Sequence, residues 1–264
     1  MRSITDLVRL LAAYVRLNLA AQLEYRGAFL SQVIAMFIND GIWVIFWVVF
    51  FDRFPVLRGW TREDVITVWA ITAAGFGLAF AMFGNSLWLA TFITQGQLDT
   101  WLLYPRPVLP HLLVSKMLAS AWGDALFGFF TYILFVHPSI VQLFMFICLT
   151  LSVAMLFVGF CILVSSFGFF LGNAVALLDQ GVNALITFST YPAVIFDGGV
   201  KLILFTLIPA AFVSYLPVEA LRQLSPGIAL LSTMGAVGVL SVGVLVFYRG
   251  LRRYESGNLM EMRG

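Results

Sequence analysis

Long apolar segments alternate with short polar segments along this chain. Five clear apolar runs cover residues 28–51, 65–93, 112–136, 140–170 and 228–248. Each run is long enough for a helix that crosses a lipid bilayer, which needs about 20 residues. The runs are continuously apolar, unlike the short alternating strands of an outer-membrane barrel. The pattern therefore predicts an all-α integral membrane protein.

Prolines and polar residues interrupt the region between the fourth and the last run. Residues 173–196 predict an interfacial or re-entrant helix, and residues 200–216 predict a short, kinked span with Pro209 inside it. This stretch is short for a bilayer. The alternative is one broken span through the whole region, which requires surrounding protein or a water-filled cavity.

The first 27 residues carry too many charges for a span but follow a helical pattern. One helical face carries apolar side chains: Leu7, Leu10, Leu11, Tyr14 and Leu17. Another face carries arginines spaced by seven residues: Arg2, Arg9 and Arg16. Residues 1–27 therefore predict an amphipathic helix that lies at the membrane interface with its arginines reaching towards water.

Basic residues near the two ends of the chain predict the topology. The amino-terminal segment carries Arg2, Arg9, Arg16 and Arg26. The polar tail, residues 249–264, carries Arg249, Arg252, Arg253 and Arg263. Because positively charged flanks stay in the cytoplasm, both termini are predicted there. We expect six transmembrane helices in a bundle of residues 28–248, within a single domain over residues 1–264, although Arg53, Arg58 and Arg62 are an exception on the outer side.

A polar, proline-broken segment, residues 94–111, lies between the second and third runs. Lipid cannot satisfy its backbone groups, so we expect it outside the hydrocarbon, on the cytoplasmic side. Leu98, Trp101 and Leu102 recur at helical spacing, which predicts a short amphipathic helix that ends at Pro105. Such a helix lies on the lipid surface or docks on a soluble partner.

Composition agrees with a membrane protein and excludes other classes. Hydrophobic residues make up 61% of the 264 residues and charged residues only 11%, whereas a soluble domain carries about 25% charged residues. The net charge of +2 comes without a block of basic residues, which excludes a nucleic-acid-binding protein. Cys148 and Cys161 share one apolar run and are predicted to be small core residues.

The sequence offers no constellation for catalysis. It lacks the G-x-x-x-x-G-K-[ST] pattern that cradles nucleotide phosphates and the H-E-x-x-H pattern of zinc proteases. Its two histidines, His111 and His137, are predicted on opposite sides of the membrane. We therefore expect no catalytic residues, no metal site and no cofactor in this chain, and no enzymatic activity of its own.

Polar side chains inside the predicted spans are few. They are Asn39, Asp40, Asn85 and Asp124. An intramembrane carboxylate is expensive and marks a function by default, so these residues are candidates for a polar substrate path. The alternative is that the two aspartates pair with Lys116 or with amides and serve packing.

Two motifs occur in order along the chain. The first is Gly96-Gln97-Leu98-Asp99 followed by Leu102-Leu103-Tyr104-Pro105-Arg106-Pro107, which has the pattern G-x-L-D then L-x-x-P after the second span. The second is Tyr191-Pro192 followed by residues 208–217, IPAAFVSYLP. Together with the six-span plan they cover nearly the whole chain, which resembles the permease subunits of type-2 ATP-binding-cassette exporters, in the branch described only as uncharacterised permeases.

The resemblance implies a role and a set of partners. The residues carried over as the ATPase-coupling region are Gly96, Leu98, Asp99, Leu102, Pro105 and Pro107. Separate ATPase subunits would hold ATP and Mg²⁺, and a second permease, identical or related, would complete the path across the bilayer. The resemblance also implies export, and a multi-pass location in the inner (cytoplasmic) membrane.

Two other classes remain open from the residues alone. An ion-coupled secondary transporter or channel would need intramembrane charges in register, for which Asp40 and Asp124 are the candidates. A membrane-embedded enzyme of lipid metabolism would need a polar catalytic cluster at the interface, and the sequence shows none. A neighbouring gene for an ATPase with a phosphate-binding loop would favour the exporter over both.

Overall fold

The computed structural model describes residues 4–171, 174–192, 195–196 and 198–254. The predictions for Arg2, Asn173 and Arg263 fall outside these residues, as do the first three residues of the amino-terminal helix and residues 255–264 of the tail. The described part is helical, with one isolated antiparallel bridge between Leu57 and Trp60. Its α-helical character and its apolar spans agree with the predicted fold class.

The helices follow one another with short connections. In chain order they are α1 (Ile4–Glu24), α2 (Arg26–Arg53), α3 (Arg62–Met82), α4 (Leu89–Thr94), α5 (Asp99–Leu102), α6 (Val108–Val114), α7 (Ala121–Thr131), α8 (Ile140–Ser166), α9 (Ala174–Thr190), α10 (Gly199–Thr206), α11 (Leu216–Gln223) and α12 (Pro226–Leu251). Wider helical turns continue α7 over Tyr132–Val136 and precede α11 over Ala211–Tyr215, and 3₁₀ turns lie at Gly84–Trp88 and Phe167–Phe169.

Side-chain caps fix where two of the long helices begin. Thr61 and Asp64 form a capping box at the start of α3, and Ser139 and Gln142 form one at the start of α8. Each box satisfies backbone N–H groups that the first turn of a helix leaves unpaired. Both boxes lie at one end of the bundle, so they mark a boundary where apolar helix gives way to polar connection.

Helix α3 forms the centre of the bundle. Inside this chain, 83% of its apolar window is buried, against 17% for α2 and 22% for α12. It packs on α7 and α8, and α8 forms an extensive parallel pair with α12, in which Ser152 contacts Thr233 and Phe169 contacts Phe247. Helices α2 and α12 therefore leave most of their apolar surface free for lipid or for another chain.

The helix ends gather into two opposite layers. At the coupling end, defined by residues 94–111, Gly168 at the end of α8 lies against Ile93 and Thr94, and the Phe169 and Phe247 rings are 5.5 Å apart. At the loop end, defined by residues 54–61, the guanidinium of Arg222 in the last turn of α11 lies 3.9 Å from Asp64 of α3. These contacts place the end of α12 and the start of α9 at the coupling end.

The predicted second and third spans are interrupted. The run 65–93 is helical only to Met82 before the 3₁₀ turn, and the run 112–136 leaves helical geometry after Val114. Backbone groups left unpaired at one break bond to backbone groups at the other, an arrangement called here the backbone exchange. The Gly84 N–H donates to the Lys116 carbonyl (2.9 Å), and the Leu118 N–H donates to the Phe80 carbonyl (3.0 Å). Hydropathy cannot show this exchange, because both runs remain apolar through the break.

Among the described residues, four helices are long and apolar enough to cross a membrane: α2, α3, α8 with its 3₁₀ extension, and α12. Residues 121–136 form a shorter apolar helix. Helix α9 packs within the bundle, because Leu178, Val182 and Leu185 lie on one buried face against its neighbours. The region predicted as an interfacial or re-entrant helix is therefore a packed 17-residue helix over its described residues.

Close packing of α3 on α7 depends on Gly77. A Cβ atom there would lie 2.2 Å from the Ala125 nitrogen and 2.6 Å from the Ala121 carbonyl oxygen. We expect Gly77→Ala to separate the two helices and lower the melting temperature of the purified protein by several degrees, because no side-chain rotation relieves a backbone clash. Fluorescence-detected thermal unfolding in mild detergent would measure this.

Gly238 on α12 provides the matched control, since a Cβ there meets nothing within 4 Å. Gly238→Ala should leave the melting temperature equal or raise it, because alanine favours a helix by about 1 kcal/mol over glycine. Equal melting of both variants would contradict the close contact at Gly77.

Candidate functional site

The segment 94–111 has a buried base and an exposed tip. Helix α4 ends at Thr94, and Gly96 adopts φ +70°, a left-handed conformation that glycine takes without strain. Leu98 is completely buried in the main core. After the single-turn α5 the chain is exposed until α6 begins behind Pro107.

The predicted amphipathic helix is only partly right. Leu98 is buried and Trp101 packs on Phe92 and His111, with ring-centroid distances of 6.4 Å and 5.0 Å. Leu102, by contrast, is exposed, and so are Leu103 and Tyr104 after it. The helix is a single turn, and Leu102 at its end is exposed where the chain leaves the core.

The structure brings the predicted coupling residues together in this segment. Gly96, Leu98 and Asp99 form the turn at its base, whereas Leu102, Pro105 and Pro107 lie on the exposed tip. Asp99 lies beside the hydroxyl of Tyr254, which follows α12. Burial, and then the neighbouring Asp99, raise the pKa of Tyr254 to about 12, so the phenol stays neutral.

A polar stripe on α1 bonds to the same region and was not predicted. The Tyr14 hydroxyl lies 2.7 Å from His111 Nε2, Asn18 donates to the Val114 carbonyl (3.1 Å), and Gln22 donates to the Met117 carbonyl (3.2 Å). The sequence signal was the spacing of four residues, which places these three polar side chains on one helical face. Helix α1 is therefore fixed to α6 and to the break after it, and Leu17 is exposed.

His111 lies among aromatic rings at this junction. Tyr14, Trp101 and Tyr104 surround it with ring-centroid distances between 5.0 and 5.4 Å. Burial, followed by the charge of Arg106, lowers the pKa of His111 below its ordinary 6.5. The ring is therefore neutral at pH 7, and its Nε2 can accept the hydrogen bond that the Tyr14 hydroxyl donates.

A second site lies between α2, α3, α7 and α9. A partly open cavity of about 300 Å³ is lined by Asn39, Asp40 and Asp124 together with aromatic and threonine side chains. The carboxyl groups of Asp40 and Asp124 bond to one another, and the Asn39 amide lies 3.5 Å from Asp40 Oδ1. Three of the four residues predicted for a substrate path therefore meet at one cavity.

The fourth candidate, Asn85, lies elsewhere. Its amide donates to the Leu112 carbonyl (3.0 Å) and to the Ser115 hydroxyl (2.8 Å), so it supports the break between α6 and α7. The Lys116 ammonium lies 3.6 Å from the centre of the Trp88 ring. The two aspartates pair with one another, and Asp40 also accepts from the amide of Asn39.

Metal chemistry finds no support in the described ranges. No three side chains of histidine, cysteine, aspartate or glutamate gather there as a metal-binding group. Cys161 is buried and Cys148 is exposed, and both are free thiols.

Comparison with known families places the chain beside a family of membrane transporters. The profile of a family described as ABC-2 family transporter protein matches residues 37–257. The match includes α3 to α12, most of α2, the segment 94–111 and the cavity lining except Met36. Comparison with curated proteins and with solved structures gives no significant match.

Proposed function

This chain belongs to the ABC-2 transporter family, and from that premise we propose that it is the membrane subunit of an ATP-driven exporter in the inner membrane. Family membership makes it a membrane transport component and implies association with an ATP-binding-cassette ATPase. The finer proposal is that segment 94–111 receives the movement of that ATPase. The observation that carries it is the exposed tip of this segment on a buried base.

The exposed tip has the chemistry of a docking surface. Leu102, Leu103 and Tyr104 are 46%, 86% and 50% exposed and lie consecutively, with Arg106 close behind. Aromatic and arginine side chains are enriched where proteins bind each other. The base, by contrast, is immobilised, because Leu98 and Leu109 are buried in the core on either side of the tip.

We propose six crossings with both termini in the cytoplasm. Four are the long apolar helices, a fifth is α6 with α7, and the sixth is α9 continued by α10 and α11 towards the loop end. Support comes from the helix ends: α9 starts beside Gly168, and Arg222 in the last turn of α11 lies 3.9 Å from Asp64. Basic residues at the coupling end, such as Arg249 and Arg252, agree with a cytoplasmic face.

ATP and Mg²⁺ belong to the partner in this proposal. The chain has no phosphate-binding loop, so nucleotide chemistry must come from another subunit. Movement of the ATPases would displace segment 94–111 and, through α1 and α6, the helices around the cavity. This chain contributes rigid-body rearrangement and a path for the substrate.

A second permease would complete that path. The cavity of Asp40 and Asp124 is open on one side, and the adjoining α2 is only 17% buried within this chain. A substrate path that excludes lipid must be closed by protein on this open side of the cavity. A second copy or a related permease would close it by packing on the exposed face of α2.

Affinity purification from the native membrane tests the proposal. The tagged chain, extracted in mild detergent, should bring with it an ATPase that carries a phosphate-binding loop in about equal amount. Vesicles containing the complex should transport only with ATP. A second permease in the eluate would indicate a heterodimer, and its absence beside a dimer-sized complex would indicate a homodimer.

The Asp40–Asp124 pair also favours one alternative, an ion-coupled secondary transporter or channel. Two carboxyl groups in contact at membrane depth are typical of proton relays. Recovery of the chain without an ATPase, together with transport that survives without ATP and collapses with the ion gradient, would establish that alternative and overturn the exporter.

A further inference from the structure

Two carboxyl groups in the cavity have unused hydrogen-bonding capacity. Asp40 and Asp124 are only 7% and 4% exposed, and the Oδ2 atom of each has no partner within the described residues. A buried carboxyl oxygen without a donor costs free energy. Two carboxyl groups can hydrogen-bond to each other only if one of them is protonated. A bound cation with N–H groups can take the place of that proton and donate to both carboxylates.

Aromatic rings lie beside this pair. Trp43 and Trp69 stack with their centroids 5.6 Å apart and an interplanar angle of 17°, and both line the cavity with Tyr191. The faces of tryptophan rings attract cations more strongly than those of other aromatic side chains. The lining residues include no lysine, arginine or histidine, so no basic side chain of the lining competes for the carboxyl oxygens.

We propose that this cavity binds an organic ammonium compound, with the charged nitrogen against Asp40 and Asp124 and an apolar body against Trp43 and Trp69. The volume of about 300 Å³ suits a molecule of the size of a substituted arylalkylammonium ion. This inference rests on the proposed function in one respect, because it takes the cavity as part of the transport path.

The polar threonines restrict what else would fit. The Thr190 hydroxyl donates to the backbone carbonyls of Ile186 and Thr187, and the Thr72 hydroxyl donates to the Ser189 carbonyl. These donors are committed to backbone and are not available to an anion. An anionic ligand would lie close to two carboxyl groups, whereas an ammonium group would supply the N–H donors that their Oδ2 atoms lack.

Binding to the purified full-length permease, without ATPase or ATP, tests the inference. The probe is 2-phenylethylammonium, and 2-phenylethanol is its neutral counterpart of similar size. Quenching of tryptophan fluorescence, checked by calorimetry, should show affinity for the ammonium compound at least about tenfold higher. Equal affinity for the two compounds would overturn the proposal.

Variants locate the site. Asp40→Asn and Asp124→Asn keep the shape of the side chain and should each weaken ammonium binding about tenfold, while Asp179→Asn on the exposed face of α9 should leave it unchanged. Trp43→Leu adds a variant that should fold normally, since Trp43 is 44% exposed, and it should weaken binding severalfold. Unchanged binding by Trp43→Leu would also overturn the proposal.

The outcome is separable from the proposed function. Recovery of an ATPase with a cavity that does not prefer the ammonium compound leaves the exporter standing and removes the cation site. Preference for the ammonium compound without an ATPase keeps the site and removes the exporter.

Discussion

Replacement of Leu103 by glutamate is expected to abolish recovery of an ATPase with this permease. Leu103 is 86% exposed in the isolated chain and lies at the centre of the exposed tip of segment 94–111. If a partner buries it, a carboxylate there loses apolar contact and must be desolvated, which costs at least about 2 kcal/mol, or roughly thirtyfold in affinity. Quantitative co-purification from membranes would measure the loss.

Ile140→Glu is the matched control. Ile140 is 79% exposed at the start of α8, at the loop end of the bundle, and a negative charge is favourable at a helix N-terminus. This variant should recover the ATPase normally. Equal recovery by both variants would contradict docking on the tip, and equal loss would indicate damage to insertion instead.

The second large effect is expected when two of the three hydrogen bonds that hold α1 to α6 and to the break after it are removed. Asn18 and Gln22 donate to the carbonyls of Val114 and Met117, at the break between α6 and α7. The double change Asn18→Leu and Gln22→Leu removes both donors and leaves carbonyl groups unsatisfied at about 1–3 kcal/mol each. We expect ATP hydrolysis in the complex to continue while ATP-dependent transport falls at least about tenfold.

The control again carries two new leucines on α1. Ala13 and Ala20 lie on the exposed face of the same helix, so Ala13→Leu with Ala20→Leu should leave transport and hydrolysis unchanged. Parallel assays of hydrolysis and vesicle transport distinguish uncoupling from loss of the complex. Normal transport by the Asn18/Gln22 variant would remove α1 from the coupling route.

Sequence patterns identified the family and the helical class because both depend on local features, namely short motifs and continuous apolar runs. A run such as 228–248 is apolar throughout, and α12 indeed covers Pro226–Leu251. The motif around Gly96 and Asp99 is contiguous, so it could be recognised without knowing any tertiary contact. The family match over residues 37–257 confirms that recognition.

What the sequence could not supply were contacts between distant residues. The predicted continuous helix over 112–136 was wrong because backbone groups of Gly84 and Phe80 replace helical hydrogen bonds near Lys116 and Leu118. Asp40 and Asp124 were both candidates, but only the rotation of α2 against α7 decides that they meet. Neither the backbone exchange nor the rotation leaves a trace in hydropathy.

The functional roles of the candidate residues remain predictions, because residue type alone does not reveal what a side chain contacts. Asn85 illustrates why the role of a polar residue within an apolar run is ambiguous. Its amide donates to the Leu112 carbonyl and the Ser115 hydroxyl, away from the cavity. A single sequence gives the identity of such a side chain but not the carbonyl groups within its reach. Burial and hydrogen-bond partners separate a structural amide from a ligand-facing one.

The backbone exchange between the two helix breaks has a mechanical consequence. The bonds from Gly84 to Lys116 and from Leu118 to Phe80 join main chain to main chain, so they leave no flexible side chain between α3 and the segment behind α6. We expect α3 and the segment behind α6 to move together as one rigid unit. Trp69 lies on α3 about 16 Å along the helix axis from Phe80. A displacement of α6 would then move Trp69, which lines the cavity, by about the same distance, because α3 between them is a rigid helix.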